Sequence, residues 1–512
     1  MSSLVQDLVA QGFALRETHI SQVFLGDDSV YKIKKPVALG FLDFSTLARR
    51  EHFCAQEVVL NRRLAPDVYR GVVAITRDAS GTHRIGGDGP TVEWAVHMRR
   101  LPERDAADVR LGEGRLERGH LQHLAEHIAR FHSAARCDAE TAQHGSPEAI
   151  ERNVRENFEQ TRQSARRFLD ERELAQLESW QLGFLAAQRE RFLQRVADHR
   201  IRDGHGDLRL EHGYLDDAGG VEIIDCIEFN ERFRYGDVCA DVAFLAMDLA
   251  WHERRDASEI FLADYARATG DYDLYGLVDF YQSYRAFVRG KVSSLLEADA
   301  GASSEARAHA GAQARKYYLL AEACAREPLE RPVLCAVGGL IASGKSTLAN
   351  RLVERIAAPA IDSDRTRKQL AGVDPLTPLP DAAFSGHYGP EASAATYAEL
   401  RRRAEVVLRS KRSVILDASF RTRAERRAVH ELAQRCGAGF LFIECSASPA
   451  TVRARLAQRV TGPSISDGRP EIFAAFAQSY EPVDELPEQA YLQLDTDQRE
   501  DAALERALER LR

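Results

Sequence analysis

The sequence predicts two domains, an α+β domain in the N-terminal part and an α/β domain with a parallel sheet in the C-terminal part. At 512 residues the chain is too long for one ordinary hydrophobic core. After Pro332, short apolar strands alternate with helical runs, as in βαβ units, whereas before it a strand-rich stretch is followed by long helical runs. Residues 326–332 contain two prolines and no apolar periodicity, so they are predicted to link domains 1–325 and 333–512.

Composition narrows the class of protein. Hydrophobic residues make up 44% and charged residues 29%, as in globular proteins, and the net charge of −9 argues against non-specific nucleic-acid binding by the whole chain, although not against a local basic groove. The N-terminus lacks a signal-peptide pattern, and no apolar run approaches the ~20 residues that span a bilayer. The eight scattered cysteines are predicted to be reduced. We therefore expect a cytoplasmic protein without a membrane partner.

In the N-terminal domain, residues 20–100 are predicted to form strands with one helix, at 45–64. A hairpin is predicted with its turn at residues 26–28. Helices are predicted over 116–200, short strands over 201–229, and helices again to residue 326, with a loop or weak helix at 299–315.

The segment GLIASGKST after the first C-terminal strand is the clearest motif. It has the pattern GxxxxGK[ST], preceded by an apolar strand and followed by a helical run, and it is formed by Gly339, Gly344, Lys345, Ser346 and Thr347. Such a loop turns backbone N–H groups toward phosphate oxygens, its lysine reaches the β- and γ-phosphates, and its first hydroxyl holds Mg²⁺. The sequence therefore predicts an ATP and Mg²⁺ site, the alternative being a glycine-rich turn without a ligand.

Acidic and basic residues follow in a pattern that suits phosphoryl transfer. In DSDRTRK, Asp364 would take the proton of an attacking hydroxyl and Arg367 would hold an anionic substrate; alternatively the aspartate only caps a helix. Asp417 stands at the end of an apolar strand, the position of the Walker B aspartate that supports Mg²⁺ in P-loop proteins. Alternatively, Asp417 too is only a cap. Arg455 and Arg459 share a helix face and would close over the phosphates, or else form a solvated face.

Together, GLIASGKST, DSDRTRK, VILDAS and RLAQR resemble the P-loop kinases that include polynucleotide kinases, gluconate kinases and zeta toxins. The resemblance covers about residues 333 to 490. It implies that DSDRTRK supplies the base and a substrate-binding arginine and that RLAQR supplies lid arginines.

The N-terminal domain contains a second set of phosphotransfer residues. Asp207 in HGD and Asp225 in IID follow short strands, where one acid would orient an acceptor and the other would bind metal. Lys32 lies on a predicted strand, and Glu57 in the next helix would position it on the phosphates. Lys34 and Lys35 are alternatives to Lys32.

HGD followed by IID resembles the aminoglycoside phosphotransferase branch of the kinase-like fold. The resemblance implies a catalytic Asp207, a metal-binding Asp225, a phosphate-binding Lys32 with its partner Glu57, and an Asp241 that braces the catalytic loop. His212 stands where the family pattern has the Asn that is the second metal ligand. Nearly the whole chain also resembles bacterial proteins that fuse such a domain to a P-loop kinase, through stretches such as YKIKKPVALGFLDFSTLARR and HGDLRLEH.

The sequence thus predicts an ATP-dependent kinase acting on a hydroxyl of a small molecule or nucleic acid, with an N-terminal domain that is a second phosphotransferase or a regulator. Two alternatives remain: a 5′-hydroxyl polynucleotide kinase, and a non-catalytic ATP-dependent switch. His132 is expected to be a core or capping histidine. The basic stretches RRRAEVVLRSKR and RTRAERR are expected to be solvated helix faces, or else a nucleic-acid track.

Overall fold

The structure is a computed structural model that describes residues 3–40, 42–299, 301–326, 328, 330–459, 465–497 and 500–511. The chain divides into two compact units, Met1–Glu253 with Phe280–Cys324, and Arg254–Asp279 with Ala325–Arg512. The predicted boundary after residue 325 therefore needs one correction, because 254–279 belong to the second unit.

The strands are short. In chain order they are β1 (Ala14–Glu17), β2 (Ser21–Leu25), β3 (Ser29–Lys34), β4 (Ala38–Leu39), β5 (Leu42–Asp43), β6 (Tyr69–Arg77), β7 (His83–Ile85), β8 (Thr91–Arg99), β9 (Ile201–Asp203), β10 (Gly213–Leu215), β11 (Val221–Ile223), β12 (Tyr235–Asp237), β13 (Val333–Gly339), β14 (Ala360–Asp362), β15 (Val414–Asp417), β16 (Gly439–Ser446) and β17 (Tyr491–Asp495).

Helices connect and cover these strands. In chain order they are α1 (Ser3–Ala10), α2 (Leu47–Asn61), α3 (Ala107–Gly112), α4 (Arg118–Ala134), α5 (Ala139–Gln143), α6 (Pro147–Ala165), α7 (Glu171–Ala187), α8 (Arg189–Ala197), α9 (Glu231–Arg234), α10 (Val238–Trp251), α11 (Arg255–Thr269), α12 (Val278–Ala298), α13 (Ser304–Cys324), α14 (Lys345–Ile356), α15 (Ser363–Leu370), α16 (Pro390–Arg409), α17 (Arg423–Arg435), α18 (Pro449–Arg459), α19 (Pro470–Gln478) and α20 (Glu500–Leu511).

The first unit begins with an antiparallel sheet in the order β1-β2-β3-β8-β6-β7. The predicted hairpin is present as β2 and β3, with Val23 opposite Lys32. Helix α2 begins after Thr46, whose hydroxyl accepts from the backbone N–H of Arg49, and buries Cys54 and Val58 against the sheet. This packing places one face of α2 beside the strand that carries Lys32.

The rest of the first unit is mostly helical, as predicted, with two small strand pairs, β9 with β12 and β10 with β11. Asp207 follows β9, and Asp225 follows β11. The stretch predicted as a loop or weak helix at 299–315 is largely helical, because α13 begins at Ser304 and buries Ala310, Ala314 and Tyr318.

The second unit is an α/β domain with a parallel sheet in the order β14-β15-β13-β16-β17, which confirms the predicted fold class. Its buried core joins Cys335 and Val337 of β13 with Leu352 of α14 and Leu504 of α20. Since all the strands are parallel, their carboxyl ends meet at one edge, where Gly339, Asp362 and Asp417 lie.

Residues 254–279 pack into this second unit. Ala263 of α11 is part of its core, and the hydroxyl of Tyr272 donates to the carbonyl oxygen of Ala360 at 2.8 Å. Arg412 forms ion pairs with Glu259 and Asp279, each at 2.7 Å. The helical pattern of residues 254–279 does not indicate that they belong to the second unit. Their place there depends on contacts such as that of Tyr272 with Ala360, 88 residues away in sequence.

Among the described residues, none of the eight cysteines forms a disulfide. In the part of the chain that the structure describes, no helix has both the length and the apolar character that membrane crossing requires.

Candidate active sites

The predicted P-loop is the connection between β13 and α14. Gly339 and Gly344 have φ values of 129° and 88°, a region that disfavours side chains, and a Cβ on Gly339 would lie 2.2 Å from the carbonyl oxygen of Cys445. Ala342 also has a positive φ, 61°, although it is not glycine. The loop ends at Gly344, and Lys345 opens the helix with Ser346 and Thr347 exposed in its first turn.

The predicted phosphate-binding lysine, Lys345, lies close to the two predicted Mg²⁺ ligands, Ser346 and Asp417. Nζ of Lys345 donates to the carbonyl oxygen of Leu340 at 2.7 Å. Ser346 hydrogen-bonds to the buried carboxyl group of Asp417 at the end of β15. Burial raises the pKa of Asp417 to about 6, although the charge of Lys345 and the Ser346 hydrogen bond act in the opposite direction. A cation bound beside this carboxyl group would stabilise its ionised form.

In DSDRTRK it is Asp362, and not Asp364, that caps the helix. Asp362 is the cap of α15, because its Oδ1 accepts from the backbone N–H of Arg365 at 2.7 Å. Asp364 is thus not needed as a cap. Burial and the neighbouring Asp362 raise the pKa of Asp364, and its carboxyl group also hydrogen-bonds to Ser466.

Arg367 lies one turn further along α15 and is 8% exposed. Its Nη1 donates to the carbonyl oxygen of His387 at 2.6 Å, and its guanidinium lies 4.5 Å from the ring centre of Tyr388. Its buried Nε has no hydrogen-bond partner, and no described carboxylate lies within ion-pair distance of the group. A buried guanidinium without a carboxylate is suited to an incoming anion.

Lys368 holds the loops around this site, a role that sequence reasoning missed. Its Nζ, which is fully buried, donates to the carbonyl oxygens of Pro375 and Ile465 at 3.0 and 2.8 Å and lies 3.3 Å from Oδ1 of Asp467. Asp467 also accepts from the hydroxyl of Tyr388 at 2.7 Å. The adjacent letters RK in the motif are its only sequence signal.

A second arginine lies beside an aromatic pair. The rings of Phe384 and Phe476 stack with centres 5.0 Å apart, and the guanidinium of Arg421 lies 4.6 Å from the Phe384 ring centre. Phe384 has a φ of 60°, which is unusual for a bulky residue. Sequence reasoning placed Arg421 within RTRAERR without a specific role.

The predicted lid arginines are found on α18. Arg455 donates to the carbonyl oxygen of Ala342 at 3.1 Å and to the hydroxyl and carbonyl oxygens of Thr496, each at 3.0 Å. Its guanidinium therefore braces the P-loop and does not form a solvated face. Arg459 ends α18, and its side chain lies outside the described residues.

The predicted lysine and glutamate of the N-terminal site form an ion pair. Nζ of Lys32 lies 2.9 Å from Oε1 of Glu57 and also contacts Oδ1 of Asp225. Lys34 shares the same glutamate, with Nζ 2.7 Å from Oε2, and contacts Glu228. Burial would lower the pKa of Lys32, but Asp225 and Glu57 outweigh it, so the pKa is raised.

Of the three lysines, Lys32 is the one that contacts Asp225, whereas the buried Lys34 contacts Glu228. Lys35 instead donates to the carbonyl oxygen of Thr18 at 2.7 Å. Lys34 contacts the other carboxylate oxygen of Glu57. Two lysines on the same strand face can share one glutamate, but that position alone does not require it.

Asp207 forms a two-point contact with Arg209, with Nε–Oδ1 and Nη2–Oδ2 distances of 3.2 and 3.1 Å. Burial acts to raise the pKa of Asp207, but Arg209, His212 and Arg289 together outweigh it and hold the pKa below its usual range. The sequence did not indicate this pair.

Asp241 lies behind the HGD loop. It accepts from the backbone N–H groups of His205 and Gly206 at 2.6 and 2.9 Å, and His132 lies 3.4 Å from it. His132 is thus a buried histidine with a partner, as predicted.

His212 lies between the two acids of the site. Its Nδ1 is 2.8 Å from the carbonyl oxygen of Asp207, and its Nε2 is 3.7 Å from Oδ2 of Asp225. No group of three or more His, Cys, Asp or Glu side chains with metal-binding geometry is found among the described residues. A cation here would therefore need phosphate or water oxygens to complete its coordination.

The basic stretches RRRAEVVLRSKR and RTRAERR were expected to be solvated helix faces. That expectation is wrong for three of their arginines. Arg403 and Arg412 are paired with Glu399 and with Glu259 and Asp279, and Arg426 is fully buried with Glu485 at 2.6 Å. These guanidinium groups are committed to carboxylates, and therefore do not form a free nucleic-acid track.

The P-loop lies within the stretch that a known family model matches. The family model of the AAA domain matches residues 334–483. A gluconokinase from Sinorhizobium meliloti 1021 is similar with 21% identity and a TM-score of 0.26, covering 36% of this chain and 93% of its own. The amicoumacin kinase hAmiN, in complex with AMP-PNP, Ca²⁺ and Ami, is similar with 12% identity and a TM-score of 0.37, covering 61% of this chain and 89% of its own.

Two mycobacterial proteins are similar to this chain over most of its length. The uncharacterized protein Rv2004c of Mycobacterium tuberculosis (strain ATCC 25618 / H37Rv) is 34% identical over 463 residues, which are 90% of this chain and 89% of that protein. The uncharacterized protein Mb2027c of Mycobacterium bovis (strain ATCC BAA-935 / AF2122/97) matches to the same extent. With this identity across both units, the chain belongs to the family of Rv2004c.

Proposed function

We propose that the C-terminal domain is a kinase that transfers the γ-phosphate of ATP to a hydroxyl group of an anionic acceptor. The observation that carries the proposal is the placement of Asp364 and Arg367 on one helix that starts at the edge where the P-loop and Asp417 lie. The proposed base and anion-binding group would thus come from a helix that begins beside the phosphate loop.

In this proposal the P-loop N–H groups and Lys345 hold the ATP phosphates, while Asp364 accepts the proton of the attacking hydroxyl. The raised pKa of Asp364 makes it a stronger base than an exposed aspartate. Arg455 keeps the loop in shape through Ala342. The oxygens of Ser346 and Asp417 fit Mg²⁺, which when bound would neutralise phosphate charge.

The acceptor is proposed to carry an anionic group because Arg367 has no carboxylate partner among the described residues. A 5′-hydroxyl oligonucleotide is the second candidate acceptor. It is favoured by the Phe384–Phe476 pair with Arg421, since stacked rings beside a guanidinium can bind a base.

For the N-terminal domain we propose a second metal–nucleotide site, formed by Lys32, Glu57, Asp207, Asp225 and His212. It is supported by the Lys32–Glu57 pair and by the two acids beside it. Glu57 would orient Lys32 toward phosphate, while Asp225 and His212 have donor atoms that a divalent cation accepts. The site is either a second phosphotransferase or a regulator of the first.

The test is ATP turnover by the full chain with a panel of neutral sugars, sugar acids, sugar phosphates, nucleosides and 5′-hydroxyl oligonucleotides. Lys345→Ala and Asp207→Ala are measured in parallel. Stimulation by anionic acceptors that Lys345→Ala abolishes and Asp207→Ala retains would support the proposal. ATP binding without stimulation by any acceptor would instead favour the ATP-dependent switch.

A further inference from the structure

We propose that the N-terminal site binds its cation through Nε2 of His212 together with Asp225, and so prefers a divalent transition-metal ion to Mg²⁺. This inference rests on the proposed metal–nucleotide function of that site and specifies its cation.

The first argument is the tautomer of His212. Its Nδ1 lies 2.8 Å from the carbonyl oxygen of Asp207, which can only accept, so we assign the ring proton to Nδ1. Its Nε2 lies 3.4 Å from Nη2 of Arg209, which can only donate. Both contacts assign the lone pair to Nε2, the form in which an imidazole binds a metal while its other nitrogen donates to a carbonyl group.

The second argument is the position of that lone pair. Nε2 is 3.7 Å from Oδ2 of Asp225, the carboxylate oxygen that does not contact Lys32. Two ligands at ~2.1 Å from one octahedral ion lie about 3.0 Å apart, so a small side-chain movement would bring both onto a cation. Glu211 also lies near, with Oε1 at 3.8 Å from Nε2, but it is paired with Arg209.

The third argument is that the backbone holds Asp225 in an unfavourable conformation. Its φ is 68°, in the left-handed region that most non-glycine residues avoid. The strain is maintained by hydrogen bonds from the Asp225 N–H to the Tyr69 hydroxyl at 3.2 Å and from the Cys226 N–H to Asn61 at 2.8 Å. The surroundings thus fix where this carboxylate is presented.

The choice of cation follows from the donor atoms. Mg²⁺ prefers oxygen ligands and sheds water reluctantly, whereas an imidazole nitrogen binds first-row transition-metal ions well. A site with one nitrogen and one carboxylate donor, completed by nucleotide phosphates, therefore selects a transition-metal ion. An amide at residue 212 would supply an oxygen and remove this selectivity.

The test uses the full chain carrying Lys345→Ala, which weakens nucleotide binding at the P-loop. Pulsed electron paramagnetic resonance of Mn²⁺ with AMP-PNP is recorded with natural-abundance and with ¹⁵N-histidine-labelled protein. We expect a nitrogen coupling that changes on labelling, that is lost in His212→Asn and that is retained in the matched control His123→Asn, an exposed histidine of α4.

Nucleotide affinity gives the second measurement. We expect AMP-PNP to bind at least about tenfold more tightly with Co²⁺ than with Mg²⁺, and the ratio to approach one in His212→Asn. Nucleotide binding without nitrogen coupling, and with equal affinity for both cations, would overturn this inference and leave the nucleotide site intact. No nucleotide binding with either cation would overturn the proposed N-terminal site itself, and this inference with it.

Discussion

The guanidinium group of Arg209 contacts both carboxylate oxygens of Asp207, at 3.2 and 3.1 Å. The pair stabilises the ionised acid and so weakens Asp207 as a proton acceptor. An acid with a lowered pKa stays ionised to lower pH, but it takes up a proton from a hydroxyl less readily. The contact therefore bears directly on whether the N-terminal site performs chemistry.

Arg209→Gln is expected to raise the pKa of Asp207 toward the ordinary ~3.9. If the N-terminal site transfers phosphate, the acid limb of its pH–rate profile would move to higher pH, and the neutral-pH rate would rise by less than about tenfold. The measurement is turnover against pH in the Lys345→Ala background. A fall in rate with an unmoved acid limb would show that Arg209 instead contacts the transferring phosphate.

Arg367→Met is expected to raise KM for anionic acceptors about 10- to 100-fold, since a hydrogen bond to a charged group contributes about 1.5–3 kcal/mol. KM for ATP should change little. The matched control is Arg435→Met, an exposed arginine of α17. An equal effect on neutral and anionic acceptors would contradict the assignment, provided that the melting temperature is preserved.

Asp417 should make metal–nucleotide binding at the P-loop dependent on pH. Its carboxyl group has a pKa of about 6, raised by burial, so it is protonated below that pH and must release a proton before binding a cation. Affinity for Mg·ATP is therefore expected to fall up to tenfold per pH unit below 6 and to be nearly constant above it. Titration calorimetry between pH 5 and 8 measures this, and Asp417→Asn should bind more weakly without the dependence.

Arg412→Met is expected to lower the free energy of unfolding of the second unit by about 3 kcal/mol, because it leaves Glu259 and Asp279 partly buried without their cation. Arg402→Met is the control. It removes a more exposed contact with Asp273 of the same segment, and should cost about 1 kcal/mol or less. Chemical unfolding of the full chain measures both, and equal effects would argue against a structural role for the Arg412 pairs.

Motifs with a fixed local geometry could be predicted from the sequence. The P-loop follows from GLIASGKST because its glycines, lysine and hydroxyl act within nine consecutive residues. The strands of the second unit were equally predictable, since buried parallel strands are continuous apolar runs. HGD and IID similarly indicated the positions of Asp207 and Asp225.

Features that depend on distant partners could not be predicted. Lys34 alternates with Lys32 on the same strand face, but nothing local shows that both contact Glu57. The two-point contact of Arg209 depends on a side-chain rotamer, and the brace from Arg455 to Thr496 joins residues 41 positions apart. In the basic stretches, charge alone could not distinguish a solvated arginine from Arg426, which is buried against Glu485.

The assignment of residues 254–279 limits how this chain can be taken apart. A single cut at the proline-containing linker would leave the parallel-sheet domain without Ala263 in its core and without both acidic partners of Arg412. The two units are consequently not continuous segments that a single cut would separate. A recombination event that transplanted either one intact would have to carry two separate stretches of the gene.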